Sequence, residues 1–180
     1  MELETCLRFS LFGFLISSFF LQGVKMGTVN IFLLSFSVTI FYLQGTVAVD
    51  CPKQWKHYND FCYGVIQEDV TWAEAEIYCQ EKGHNAHLTS IHDRTEVDII
   101  SKLIKSDYAD VKEVWVGLQD PRGTNRWRWT DSNPFNYKFW SAKAAKGKGQ
   151  CAYLSRESGF EKLEKSCCQR NKFYLCKSVL

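Results

Sequence analysis

Val114-Trp115-Val116-Gly117-Leu118 is a short, uninterrupted apolar run that contains a tryptophan, and it reads as a short strand. Asp120-Pro121-Arg122-Gly123 follows as a turn. Arg126-Trp127-Arg128-Trp129 then alternates polar and aromatic residues, the pattern of a half-buried strand. Upstream, Thr71 and Glu74 form a capping box, and Trp72, Ala75 and Cys79 follow at i, i+3 and i+7. Gly83 is read as the end of that helix. Asp93 and Glu96 open a second helix with Val97, Ile100 and Ile104 on one face. Ala86–Ile91 between the helices, and Cys151–Leu154 and Phe173–Cys176 after them, read as further short strands. The order hairpin, helix, strand, helix and several short antiparallel strands defines an α+β domain rather than a βαβ one.

The chain has 180 residues, a formal net charge of +2, 46% hydrophobic and 15% aromatic residues, and eight cysteines. That length holds one domain, or one domain and a leader. So many apolar and aromatic residues exclude disorder, collagen and coiled coil, and the small net charge makes no general case for nucleic acid. The charge is polarised, however: residues 51–119 carry a net −5 and residues 120–180 a net +8. All six tryptophans lie in residues 51–180, a length that buries about two-thirds of its unfolded surface.

Residues 1–48 read as a leader. Arg8 and Lys25 are the basic residues of the first 50; 16 uncharged residues separate them, and 24 more run from Met26 to Val49. Met26, the apolar stretch Ile31–Leu43 and the small residues Thr46-Val47-Ala48 form a complete secretory signal. Phe19-Phe20-Leu21-Gln22-Gly23-Val24 is echoed by Phe41-Tyr42-Leu43-Gln44-Gly45-Thr46-Val47, so Met26 is the working start or a signal segment was duplicated. The competing reading is an uncleaved anchor, because 24 uncharged residues suffice to span a bilayer of about 30 Å. Both readings place the cysteine-rich domain, residues 49–180, outside the cytosol, where disulfides persist.

Several motifs in order resemble the C-type lectin-like domain. Cys51-Pro52, Trp55, Tyr58 and Cys62-Tyr63 are similar to its opening hairpin. Thr71-Trp72, Ala75-Glu76 and Cys79 are similar to its first helix, and His87-Leu88, Ser90-Ile91 and Glu96 to the next segment. Val114–Leu118 resembles its central strand, and Trp127, Trp129 and Asp131 the strand after that. A short leader running into Asp50-Cys51-Pro52 is further similar to secreted single-domain snake-venom C-type lectins and lectin-like proteins. The resemblance implies a non-enzymatic, extracellular binding protein, with venom toxins and carbohydrate-binding lectins in the same class. It also implies the bridges Cys51–Cys62, Cys79–Cys176 and Cys151–Cys168. Chain-entropy reasoning assigns about 3 kcal/mol to each short loop and about 4.7 to the long one, as upper estimates. Cys6 goes with the leader, and Cys167 is left over, either for an interchain bridge in a disulfide-linked dimer or as a capped or unbridged thiol.

Sugar-binding members of that family hold calcium in the long loop with Glu-Pro-Asn or Gln-Pro-Asp and a later Trp-Asn-Asp. Here residues 132–150 contain no Asp or Glu, no proline follows Pro134, and Leu163-Glu164-Lys165 stands where Trp-Asn-Asp is expected. Calcium takes six to eight oxygens, so the site is expected to be lost and the cofactor list to be empty. The lysine-rich loop, with Tyr137, Trp140, Lys143, Lys146 and Lys148, is instead the candidate ligand surface for an extracellular protein or an anionic glycan. The alternatives are a type II membrane receptor and a calcium-dependent carbohydrate-binding lectin. His84, His87 and His92 lack a shared helical face and read as structural rather than zinc-binding. Trp72, Trp115, Trp127 and Trp129 read as core, and Trp140 as packing within the loop. No hydrolase, metalloprotease or phosphate-loop motif is present. The signal reading predicts a native chain that begins at Val49 by N-terminal analysis; a mature chain that retains residues 1–25 would contradict it.

Overall fold

The computed structural model describes residues 50–144 and 148–180. The leader, Met26 and Lys146 lie outside the described residues. Strands β1 (Lys56–Tyr58) and β2 (Phe61–Val70) form the opening hairpin. Helix α1 (Trp72–Gln80), the short β3 (His87–Leu88) and helix α2 (Arg94–Asp107) follow. Then come β4 (Glu113–Gln119), β5 (Arg128–Trp129), β6 (Cys151–Ser155), β7 (Leu163–Ser166) and β8 (Lys172–Val179). The sheet runs β1-β2-β8-β4-β6-β7, with β3 on β8 and β5 on β4. Every pairing is antiparallel except β4 with β8.

The capping box forms as expected: Thr71 Oγ1 accepts from Glu74 N, and Thr71 N donates to Glu74 Oε2 at 3.0 Å. The first helix ends at Gln80, before Gly83, and that glycine does not adopt the left-handed conformation of a helix stop. Asp93 caps α2, its Oδ1 accepting from Glu96 N at 2.8 Å. Gly117 is required by close approach, since a Cβ there would lie 2.4 Å from the Leu88 carbonyl oxygen.

Side chains alternate across a strand, so β8 serves two layers. Tyr174 and Cys176 pack with Trp72, Ala75 and Cys79 of α1. Leu175 faces Val97, Ile100 and Ile104 of α2. Trp72 Nε1 donates to Val116 O at 2.8 Å, and Trp115 Nε1 donates to Val70 O at 3.1 Å, so both indoles enter the interior with their polar edge satisfied. Bridges Cys51–Cys62, Cys79–Cys176 and Cys151–Cys168 are all formed. Cys167 is half-buried outside them, and its Sγ donates to Gln169 Oε1 at 3.3 Å.

Glu96 turns inward. Its Oε1 accepts from Tyr63 OH at 2.6 Å and lies 2.7 Å from Lys177 Nζ, while Oε2 accepts from His92 N at 2.8 Å. The Lys177 ammonium also lies 4.2 Å from the centre of the Phe61 ring. Burial and the adjacent Glu96 carboxylate drive the Tyr63 hydroxyl far above the ordinary phenol range. Removing one charge of a buried pair strands the other. Glu96→Gln is therefore expected to lose about 3–5 kcal/mol of stability, read from the denaturant midpoint.

Candidate functional site

The segment between β5 and β6 is pinned at its start by Asp131. That carboxylate accepts from Ser90 Oγ, from Asn133 N at 3.0 Å and from Asn133 Nδ2 at 2.9 Å. Burial pushes the Asp131 carboxyl up, but the hydrogen bonds from Ser90 and Asn133 outweigh it and hold the group below the usual carboxylate range. His92 Nε2 lies 3.0 Å from Ser90 Oγ, and its ring meets Trp129 edge-on. Serine, histidine and aspartate thus meet, but the carboxylate accepts from the serine itself. A nucleophilic triad requires the carboxylate on the far nitrogen of the imidazole, so this cluster braces the loop.

Further along, Leu163 N donates to Phe139 O at 3.1 Å and Ser141 N donates to Leu163 O at 2.9 Å, laying Trp140 beside β7. Gly149 closes the segment at φ 142°, where a Cβ would strike the Ser166 backbone at 2.4 Å. Trp140 meets Trp127 edge-to-face at 4.8 Å and Phe135 at 5.8 Å, and Phe135 meets Trp129 at 5.8 Å. Lys165 Nζ lies 5.4 Å from the Trp127 ring centre and 5.2 Å from that of Trp140, within cation–π range of both.

Glu164 and Lys165 are neighbours on a strand and face opposite ways. Glu164 is 5% exposed, accepting from Ser155 Oγ at 2.5 Å and from Tyr153 OH at 3.1 Å. Burial, then the Glu164 carboxylate, pushes the Tyr153 hydroxyl well above its ordinary value. Glu164, the one carboxylate of the Leu163-Glu164-Lys165 segment, is thus committed to the interior.

Arg126, Trp127, Phe135, Lys138, Trp140 and Lys165 line a cleft of about 350 Å³. Arg126 also lines an adjoining depression of about 260 Å³, with Arg122 and Arg128. Together the two hold five cationic side chains and one carboxylate, Asp120. Asp120 is 3% exposed and accepts from Thr124 N at 3.2 Å and Asn125 N at 2.7 Å, so it shapes the turn that displays the arginines. Among the described residues, no three His, Cys, Asp or Glu side chains gather into a set that could hold a metal ion.

The sequence-derived loop residues do not all converge here. Trp140 forms a wall of the cleft, and it also packs within the loop as expected. Tyr137 stacks on Phe139 at 5.1 Å, away from the lining. Lys143 is exposed and lies 3.4 Å from Glu157, and Lys148 is exposed. Trp72, Trp115 and Trp129 are buried, whereas Trp127 is half-buried, packed on the edge of the core and also lining the cleft, which corrects its assignment as a fully core residue. The strand expected at Arg126 begins only at Arg128, which leaves Trp127 outside the ladder. Of the residues lining the two depressions, sequence reading named only Trp140 as a site residue and missed Arg122, Arg126, Trp127, Arg128, Phe135, Lys138 and Lys165; the signal for Lys165 was a lysine in a segment where an acidic residue is expected. His87 Nδ1 lies 2.6 Å from Glu76 Oε1, a structural contact that holds α1 to β3.

A two-faced α+β sheet, three disulfides and an elaborated loop beside β7 define a lectin-type domain. The Lectin C-type domain profile matches residues 68–178, and the chain belongs to that family. It is 33% identical over 127 residues to human regenerating islet-derived protein 4, covering 71% of this chain and 80% of the relative. It is 32% identical over 158 residues to the C-type lectin mannose-binding isoform of Oxyuranus scutellatus, covering 84% and 98%. Human lithostathine superimposes with a TM-score of 0.68 at 30% identity, covering 72% of this chain and all of that one.

Glu164→Ala would leave the Ser155 and Tyr153 hydroxyls without their buried acceptor. A loss of about 1–3 kcal/mol is expected, read by thermal or denaturant unfolding.

Proposed function

We propose that this chain is a secreted, lectin-like binding protein that takes an anionic glycan through the cleft beside β7 without calcium. The carrying observation is the cleft's composition: five cations against one carboxylate that is already spent on backbone amides, around walls of tryptophan and phenylalanine. A hard cation needs six to eight oxygen ligands with carboxylate charge among them. The segment that would supply acidic ligands presents the Lys165 ammonium to the loop and sends the Glu164 carboxylate into the core. The three disulfides support an oxidising, extracellular setting.

Positive potential focused in a cleft attracts polyanions in a salt-dependent way. The protein is expected to stay on immobilised heparin at physiological salt and to elute above it, equally in calcium and in chelator. Elution at or below physiological salt would count against the anionic glycan, and retention only with calcium would count against the metal-free mode.

A further inference from the structure

We propose that Lys165, whose ammonium lies against the packed indoles of Trp127 and Trp140, is the specificity-determining cation of this cleft, and that it selects a sulfated sugar over its unsulfated counterpart. The proposal rests on the anionic-glycan reading above and goes further by naming the residue and the ligand chemistry.

Most surface lysines are poor selectors, because a flexible four-carbon stem must be ordered before the ammonium can meet its partner. Lys165 is restrained in three ways. Its backbone is fixed in β7, where Lys165 pairs with Ala152 of β6. Its side chain is half-buried. Its ammonium lies over two aromatic rings, 5.4 and 5.2 Å from their centres. Indole faces attract the cation but offer no oxygen acceptor, so the ammonium keeps donors for an incoming anion. Glu164, the nearest carboxylate in sequence, is held on the opposite face by Ser155 and Tyr153. Lys143 has Glu157 at 3.4 Å instead. The geometry gives Lys165 what Lys143 lacks, a fixed position with its charge unspent.

The surroundings suit a saccharide. Trp127, Trp140 and Phe135 give the cleft apolar walls against which the C–H face of a pyranose ring packs, while Arg126 and Lys138 flank them. Arg126 is shared with the depression of Arg122 and Arg128, so a chain lying across both places a second anionic group among three guanidiniums. Guanidiniums grip tetrahedral oxyanions through paired donors. Sulfated glycans alternate charged groups with flat apolar ring faces, as this surface alternates cations with indoles. An acidic peptide brings carboxylates but no such ring faces.

The test is titration of the full-length mature protein, followed by tryptophan fluorescence and calorimetry. The probes are a heparin-derived hexasaccharide, its desulfated N-acetylated counterpart and an oligoglutamate peptide of matched charge. Wild type, Lys165→Met, Lys165→Arg and Lys102→Met are compared; Met keeps the stem on the indoles, and Lys102 is an exposed residue of α2. Unchanged melting temperatures establish that the variants are folded. Wild type is expected to bind the sulfated hexasaccharide at least tenfold more tightly than either other probe. Lys165→Met is expected to weaken it about tenfold and to lower the slope of log affinity against log salt by about one. Lys165→Arg should stay within about threefold of wild type and Lys102→Met should match it. Equal losses in Lys165→Met and Lys102→Met would mean diffuse charge attraction, overturning the role of Lys165 while the anionic-glycan reading stands. Equal affinity for oligoglutamate would overturn the sugar selection. Equal binding of the desulfated probe, which keeps its uronate carboxylates, would overturn the sulfate selection while the anionic-glycan reading stands, and no binding of the sulfated probe by wild type would overturn both.

Discussion

The ion pair between Lys177 and Glu96 is the contact on which the arrangement of layers depends. Both partners are about 8% exposed, so each charge has lost most of its water. In such a setting each charge needs its partner and a full set of hydrogen bonds. Glu96 meets that demand with Tyr63 OH and His92 N as well as Lys177. These contacts join β2, the entry to α2 and β8 at one point, and a slip of any of them would leave a charge stranded. The preceding residue of β8 works on the other face: Cys176 is bridged to Cys79 of α1. Two consecutive residues of one strand therefore hold one helix on each side of the sheet, one by charge and one by a covalent bond.

With β8 fixed, the register of the remaining strands follows, and the register places the cleft. β4 pairs with β8 in parallel, β6 with β4, and β7 with β6, with Lys165 opposite Ala152. Because side chains alternate, a shift of one residue in β7 would turn Lys165 inward and put Glu164 into the cleft. Two features oppose that slip. Glu164 is held by Ser155 and Tyr153, and Gly149 lets the loop return flush against Ser166. The placement of one cation at the surface is therefore tied to buried hydrogen bonds on the far side of the sheet.

What the sequence disclosed follows from the range of the interactions. The capping box of Thr71 and Glu74 and the Asp93 cap are local, and both are formed where the residues indicate. The apolar run at Val114 is fully buried and therefore legible. The opening hairpin and the three bridges were legible through resemblance to a family, which supplies long-range pairings that spacing alone does not. Strand β7 was not legible: two of the four residues in Leu163-Glu164-Lys165-Ser166 are charged, and nothing local announces a strand. Its charges are tolerated because partners distant in sequence meet them, Tyr153 and Ser155 for one and Trp127 and Trp140 for the other. Trp127 misled for the converse reason. The alternation Arg-Trp-Arg-Trp has the right phase, but the ladder covers only its last two residues, and the first indole is half-buried, packing on the edge of the core with one side lining the cleft.

The same reasoning bears on what kind of ligand the cleft can discriminate. A metal ion held by carboxylates presents a compact divalent charge that accepts lone pairs from neutral hydroxyls, and its occupancy depends on pH and on competing chelators. A lysine ammonium on two indole faces is covalently attached and monovalent, and it donates hydrogen bonds rather than accepting lone pairs. It cannot polarise a pair of sugar hydroxyls as a metal does, and its attraction for a neutral ligand is small beside its attraction for an anion at the same distance. Under the proposed function, a cleft built this way would discriminate by the charge of its ligand rather than by the stereochemistry of vicinal hydroxyls. Stereochemical selection, where it occurs, would then have to come from the fit of the ring against Trp127, Phe135 and Trp140.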